Sequence, residues 1–201
     1  MKLTVQTFIT LDGVMQAPGG VDEDTGGGFD LGGWQAPLGD EETGEVIADR
    51  YRRASALLLG RRTYDIFASY WPEAPDETEP FRSLVNDRPK YVASRSEPEL
   101  TWADCHWIGP DAASGVRELK ARPDGEILVP GSANLIQTLL DEDLVDELQL
   151  ITYPVVLGKG RRLFESGLNP SAWELVECSS MPKGAVACVY RFAGRPEFRD
   201  M

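Results

Sequence analysis

From position 2 to position 10 the chain is mostly apolar or β-branched, and Thr4, Val5, Thr7, Ile9 and Thr10 predict a buried strand ended by the turn pair Asp12-Gly13. Asp40, Glu41 and Glu42 then open a helix to about Arg53, where their charge complements its N-terminal dipole. The continuous apolar run Ala54 to Gly60 reads as a strand buried on both faces, followed directly by a helix from Thr63 to Tyr70. Pro72, Pro75 and Pro80 break the pattern before a short helical piece around Phe81 to Asn86.

The alternation then resumes. Strands are predicted at Lys90 to Ser94, His106 to Ile108 and Glu126 to Val129, with helices at Asp111 to Lys120 and Ser132 to Leu140. Leu144 to Tyr153 reads as a further strand, and Trp173 to Ser179 with Gly184 to Phe192 as an antiparallel hairpin around Pro182-Lys183-Gly184. Strands alternating with helices imply an α/β fold with a largely parallel sheet covered on both faces. The length of 201 residues suits one domain spanning 1-201, with a core that needs no disulfide or metal staple. Between Ala17 and Gly39 lies a glycine-rich loop carrying Phe29, Leu31 and Trp34, long and aromatic enough to suggest a functional role.

Charge narrows the function. Lys and Arg number 20 against 33 Asp and Glu, a formal charge of −13, so the overall field repels nucleic acid and anionic membranes. An anionic cofactor would have to find its cations and amide donors locally. The N-terminus lacks the pattern of a leader and no apolar stretch is long enough to cross a bilayer, so a soluble, cytoplasmic protein is expected. Cys105, Cys178 and Cys188 are odd in number and lack metal-site spacing, and are read as reduced, mostly buried thiols.

Several chemistries fail on residue count. No Gly-x-Gly-x-x-Gly opens a helix after a strand, and no Walker lysine exists. Asp22, Glu23 and Asp24 start like a calcium loop but lack its later ligands, so no metal is expected. The single histidine, His106, has no nucleophile with an orienting group beside it and is read as structural.

Two strand-to-helix junctions have the physics of phosphate binding. At Leu59-Gly60-Arg61-Arg62-Thr63-Tyr64 a glycine permits close approach, helix amides point outward and two arginines add charge. At Val129-Pro130-Gly131-Ser132-Ala133-Asn134-Leu135 small residues again start a helix straight after a buried strand. One helix end contributes roughly 0.3–1 kcal/mol to anion binding, so useful affinity needs both ends converging. Singly, each segment reads equally well as an ordinary turn or helix start.

Taken in order, Thr10-Leu11-Asp12-Gly13, the Leu59 to Tyr64 junction, Tyr91-Val92-Ala93-Ser94-Arg95 and Gly131-Ser132-Ala133 resemble the dihydrofolate reductase-like superfamily. Gly32-Gly33-Trp34, Tyr70-Trp71-Pro72, and Leu144 to Leu148 running into Pro154 to Gly160 and Leu163-Phe164 are similar to the branch formed by the C-terminal reductase domain of the riboflavin-biosynthesis deaminase-reductase. The resemblance implies a three-layer fold, mostly parallel, closed by a C-terminal antiparallel hairpin. It also implies NADPH as cofactor, a homodimer, and reduction of a small heterocyclic substrate, most specifically 5-amino-6-(5-phosphoribosylamino)uracil.

By the same resemblance Gly60, Arg61, Arg62 and Thr63 hold the cofactor phosphates. Ser94 and Arg95 take the adenosine 2′-phosphate, which arginine can grip bidentately. Gly131, Ser132, Ala133, Asn134 and Leu135 face the pyrophosphate and nicotinamide, and Val14, Met15 and Gln16 form the covering loop. Dihydrofolate reductases carry an acid on the first helix; no motif places it here, and Asp12, Asp30 and Asp40 are candidates by position. Trp34, Tyr64, Phe67 and Trp71 either line an aromatic substrate pocket or pack beneath the long loop. Lys159, Arg161 and Arg162 either bind a substrate phosphate or form a solvated basic loop. The alternatives to a reductase are an NADP(H)-binding sensory or interaction module without turnover, and a dihydrofolate reductase.

Overall fold

The computed structural model describes residues 1–123 and 125–200. Eight strands form one sheet: β1 Lys2–Thr10, β2 Ala56–Gly60, β3 Lys90–Ala93, β4 Cys105–Trp107, β5 Glu126–Gly131, β6 Glu147–Tyr153, β7 Trp173–Ser180 and β8 Val186–Phe192. Their order is β4-β3-β2-β5-β1-β6-β8-β7. The first six are parallel, β8 runs antiparallel to β6, and β7 antiparallel to β8. The α/β architecture read from the sequence, mostly parallel with a closing antiparallel hairpin, is the one observed.

Helices α1 Glu41–Arg53, α2 Arg61–Tyr70 and α3 Phe81–Asn86 cover one face; α4 Ala112–Lys120 and α5 Ala133–Asp141 cover the other. The two-residue strand period sends Leu58, Ile127 and Val129 into the α4/α5 core and Leu57, Leu59 and Leu128 into the α1–α3 core. Central strands buried on both faces are therefore apolar at consecutive positions, which is why their sequences show no alternation.

Element ends differ from expectation for local reasons. Gly60, at φ −68° and ψ 155°, itself serves as the cap of α2, so the helix starts at Arg61 and not Thr63. Leu144 closes α5 instead of opening β6: its amide donates to the Leu139 carbonyl at 2.9 Å. The thiols are less buried than expected. Cys188 is buried, but Cys105 is only half-buried and Cys178 is exposed. Cys178 and Cys188 pair directly across the hairpin, their sulfurs 2.6 Å apart. Among the described residues no helix is long and apolar enough to cross a membrane.

Gly115 on α4 tests the packing of this face. A Cβ there would lie 2.4 Å from the Ile108 carbonyl oxygen and 2.9 Å from Ile108 Cβ. Alanine is about 1 kcal/mol better than glycine inside a helix, whereas forcing a methyl against backbone costs about 1–3 kcal/mol. The clash is with backbone and should win: Gly115→Ala is expected to lower the unfolding free energy by about 1 kcal/mol in urea denaturation, and a gain would show that α4 can shift freely.

Candidate active site

The helices that follow the neighbouring strands β2 and β5 leave on opposite faces of the sheet, α2 on one and α5 on the other. Such a switch in connection opens a crevice beyond the carboxyl ends of the strands, where α/β proteins place their ligands. Here the crevice is a cleft of about 1320 Å³.

Its centre is the junction of the two glycine turns. Leu59 pairs with Gly131 in the sheet, so Gly60 and Gly131 lie side by side at the same end. A Cβ on Gly60 would meet Ser132 Oγ at 2.0 Å, and one on Gly131 would meet Thr63 Oγ1 at 3.0 Å. The approach therefore depends on both residues lacking a side chain. The Gly131–Ser132 peptide bond is cis.

Capping separates these two helices from others in the fold. The Asp40 carboxylate accepts from Thr43 N at the start of α1, and Asp111 accepts from Ala113 N and Ser114 N at the start of α4. Gly60 and Ser132 make no side-chain cap bond. The first-turn amides of α2 and α5 are thus left open toward the cleft, with the positive ends of two helix dipoles beside them.

Four arginines line the cleft, in a protein of net charge −13. Arg61 is held by Asp65 one turn along α2 at 2.8 Å. Arg62 meets Asp24 at 2.6 Å, and Arg161 binds the same carboxylate. Arg95, exposed just beyond β3, makes no ion pair among the described residues. Ser94 beside it is fixed through its carbonyl, which accepts from Trp107 Nε1 at 3.0 Å.

The long loop is tied onto this surface. Gln16 uses its whole amide: Nε2 donates to the Asp24 and Gly26 carbonyls at 3.0 and 2.9 Å, and Oε1 accepts from Arg161 N at 3.0 Å. Gly26 lies under Arg62, where a Cβ would come within 2.7 Å of the guanidinium. The basic segment is likewise consumed by ion pairs, Lys159 with Asp30 at 2.5 Å and Arg162 with Asp12 at 3.7 Å. These pairs tie the segment to the loop while Lys159 and Arg162 stay half-exposed, as in the solvated reading.

Most residues singled out from the sequence meet in this cleft: Met15, Gln16, Gly60, Arg61, Arg62, Thr63, Ser94, Arg95 and Gly131 to Leu135, with Phe67 and Trp71 farther in. Three do not line it. Val14 is fully buried and packs beneath the loop. Trp34 turns away from the cleft, donating Nε1 to the Gln16 carbonyl at 2.8 Å and packing edge-on against Tyr153 at 5.8 Å. Tyr64 is buried because its hydroxyl accepts from the amides of Thr101 and Trp102 at 2.8 and 3.3 Å. Both aromatics are structural, since their polar atoms are already satisfied inside the protein.

None of the three candidate acids reaches the cleft wall. Asp30 is taken by Lys159 and Asp40 by the start of α1. Asp12 accepts from Thr10 Oγ1 at 2.7 Å, Gly158 N at 2.9 Å and Leu157 N at 3.2 Å. The Thr10 hydroxyl first, then these amides, pull its carboxyl down to about 2. Residues that sequence reasoning missed line the inner end: Gln6 and Phe8 from β1, Ile47 and Tyr51 from α1, and Phe81 and Val85 from α3. Their apolar spacing signalled burial and gave no hint of an opening between the elements. His106 pairs with Asp104 at 2.8 Å on the exposed edge strand β4 and does not line the cleft.

Known proteins place the chain. The RibD C-terminal domain family matches residues 1–187. Two Bacillus subtilis (strain 168) relatives are the uncharacterized proteins YyaP, 32% identical over 74% of this chain and 79% of its own, and YwjB, 28% identical over 68% and 75%. Among solved structures, similarity is found to a protein from Shewanella sp. PV-4 named for riboflavin biosynthesis, with TM-score 0.66, 20% identity and 96% and 99% of the two chains covered. A pyrimidine reductase-like protein from Corynebacterium diphtheriae gives TM-score 0.61 at 14% identity over 99% and 92%. Dihydrofolate reductase from Enterococcus faecalis, solved with NADP(H), also gives 0.61 at 13% identity over 95% and 96%. These structural likenesses show a dihydrofolate reductase-like fold.

The depressed pKa of Asp12 carries a pH signature. A carboxyl lowered in the folded state stabilises the fold above its unfolded value of about 3.9 and loses that contribution as pH falls toward 2. Asp12→Asn should cost about 1–2 kcal/mol at pH 7, with the gap to the parent protein closing between pH 4 and pH 2. Acid and urea denaturation curves of the two proteins check this; a pH-independent gap would mean the charge is irrelevant.

Proposed function

Because the chain belongs to the RibD C-terminal domain family, we propose that it is an NADPH-dependent reductase transferring hydride to a small heterocyclic substrate. The observation that carries the reading is the pair of uncapped helix starts, side by side across the β2–β5 pairing, with glycine at both points of closest approach. Two sets of free amides facing one cleft suit a pyrophosphate, whose charge is spread over several oxygens. Bound there, NADPH supplies the hydride.

The protein's own groups position the partners. Arg61 and Arg62, in the first turn of α2, add positive charge beside the amides. Arg95 supports the preference for a phosphorylated ribose, being the cleft arginine with no internal carboxylate to hold it. Gln16 and the Asp24 ion pairs hold the long loop against the cleft, and Phe67 and Trp71 offer aromatic area to a flat ring, their own rings 6.1 Å apart and edge-on. Within the family resemblance the substrate fitting this reading most specifically is 5-amino-6-(5-phosphoribosylamino)uracil.

Five tryptophans provide the assay. NADPH should quench their fluorescence saturably and more tightly than NADH does. Arg95→Ala should weaken NADPH by about 1.5–3 kcal/mol, the range for a charged hydrogen bond, and leave NADH nearly unchanged. Equal losses for the two cofactors would remove the 2′-phosphate from the account, and absence of quenching by either would remove the reductase.

A further inference from the structure

The cleft holds four acids, and each is already engaged. Glu23 accepts from the amides of Gly19 and Gly20, Asp24 holds two arginines, Asp65 binds Arg61, and Asp111 caps α4. No carboxylate of α1 lines it. In that position α1 presents Tyr51. The residue is 7% exposed and lines the cleft, its ring edge-on to Phe81 at 6.1 Å.

The Tyr51 hydroxyl has no hydrogen-bond partner among the described residues. It is nonetheless not sealed: the buried side-chain polar atom that is both enclosed and unpartnered is Thr4 Oγ1. A phenol left in that condition opens on the cavity it lines and awaits an acceptor. Burial pushes its acidity down, so it stays protonated at neutral pH.

A second polar group on the cleft wall, Gln6 of β1, is bonded to α1 one turn before Tyr51. Gln6 is 3% exposed, and its Nε2 donates to the Ile47 carbonyl at 3.4 Å and to Gln149 Oε1 at 3.0 Å. Gln149 is fixed in turn by Arg50 Nε at 3.0 Å, and Arg50 by Glu147 at 2.7 Å. This chain sets the amide's orientation and leaves Gln6 Oε1, on the cleft wall, without a donor among the described residues. Positions 47 and 51 share a helix face, their Cβ atoms about 6 Å apart, so Tyr51 and the Gln6 amide held at the Ile47 carbonyl belong to the same side of the cleft wall.

We infer that Tyr51 and Gln6 form an uncharged donor–acceptor pair that binds the substrate ring at the inner end of the cleft. Tyr51 Oη donates to a ring carbonyl oxygen and Gln6 Oε1 accepts from an adjacent ring N–H, so that the pair holds the ring while hydride goes to the carbon presented to the nicotinamide. The proton that completes the reduction comes from water, and Tyr51 keeps its own. The inference rests on the reductase reading and makes Tyr51 a catalytic residue within it. It also sets specificity: a neutral ring is matched by both groups, whereas a cationic ring meets no free carboxylate and pays for desolvation.

The test uses the full chain loaded with NADPH and titrated by calorimetry at pH 6 with 5-aminouracil, a neutral ring bearing carbonyl and N–H groups, and with 2,4-diaminopyrimidine, protonated at that pH. The protein should bind the uracil at least roughly tenfold more tightly than the cation, and Tyr51→Phe should weaken the uracil roughly tenfold while NADPH affinity stays within about twofold. Binding of 5-aminouracil that is absent, that is unchanged in Tyr51→Phe, or that is weaker than binding of the cation overturns the inference. The preceding NADPH titration separates the two claims: failure there sinks the reductase reading itself, whereas normal NADPH binding with an unaffected Tyr51→Phe sinks only the role of Tyr51.

Discussion

The site depends on one close approach, that of the Gly60 turn to the Gly131–Ser132 turn across neighbouring parallel strands. Gly60 has no room for a side chain there, since its Cβ would lie 2.0 Å from Ser132 Oγ. Because both turns pass directly into helices, the approach also brings together two sets of first-turn amides that no side chain caps. Backbone amides cost no side-chain entropy to position and cannot be drawn off by solvent anions or neighbouring carboxylates as lysines are. An acidic protein can therefore build an anion site from them where its mean field would not favour one.

Around that junction the protein balances its charges by internal pairing. Asp24, carried on the glycine-rich loop, holds Arg62 from α2 and Arg161 from the segment after β6. Asp12 and Asp30 tie the same distal segment through Arg162 and Lys159. These contacts make a cover of a loop that by composition alone would be mobile. They also leave the α1 side of the cleft without carboxylates, so that its polar character comes from an amide and a phenol.

Much of this was legible in the sequence, and the exceptions share a cause. The strand and helix order follows from local periodicity, and the gathering of Met15, Gln16, Thr63, Ser94 and Arg95 from the family resemblance. For Trp34 and Tyr64 the sequence left pocket and packing roles open, because their partners, the Gln16 carbonyl and the Thr101 and Trp102 amides, lie up to 38 residues away in the chain. Gln6 and Tyr51 were passed over because one sits in a strand that reads as buried and the other in a helix whose ends are charged. Residues 47 and 51 do share the apolar face of that helix, which was the available signal. The Cys178–Cys188 contact was also implicit, since the two flank the Lys183 turn symmetrically and a hairpin register places them opposite.

Backbone amide spectroscopy on ¹⁵N-labelled protein addresses the central claim most directly. On addition of NADPH, the largest shifts are predicted at the amides of Arg61 to Thr63 and Ala133 to Leu135, moving together along one saturation curve. Shifts confined to one of the two segments, or centred on α1 or the β7–β8 hairpin, would contradict a pyrophosphate held between the two helix starts.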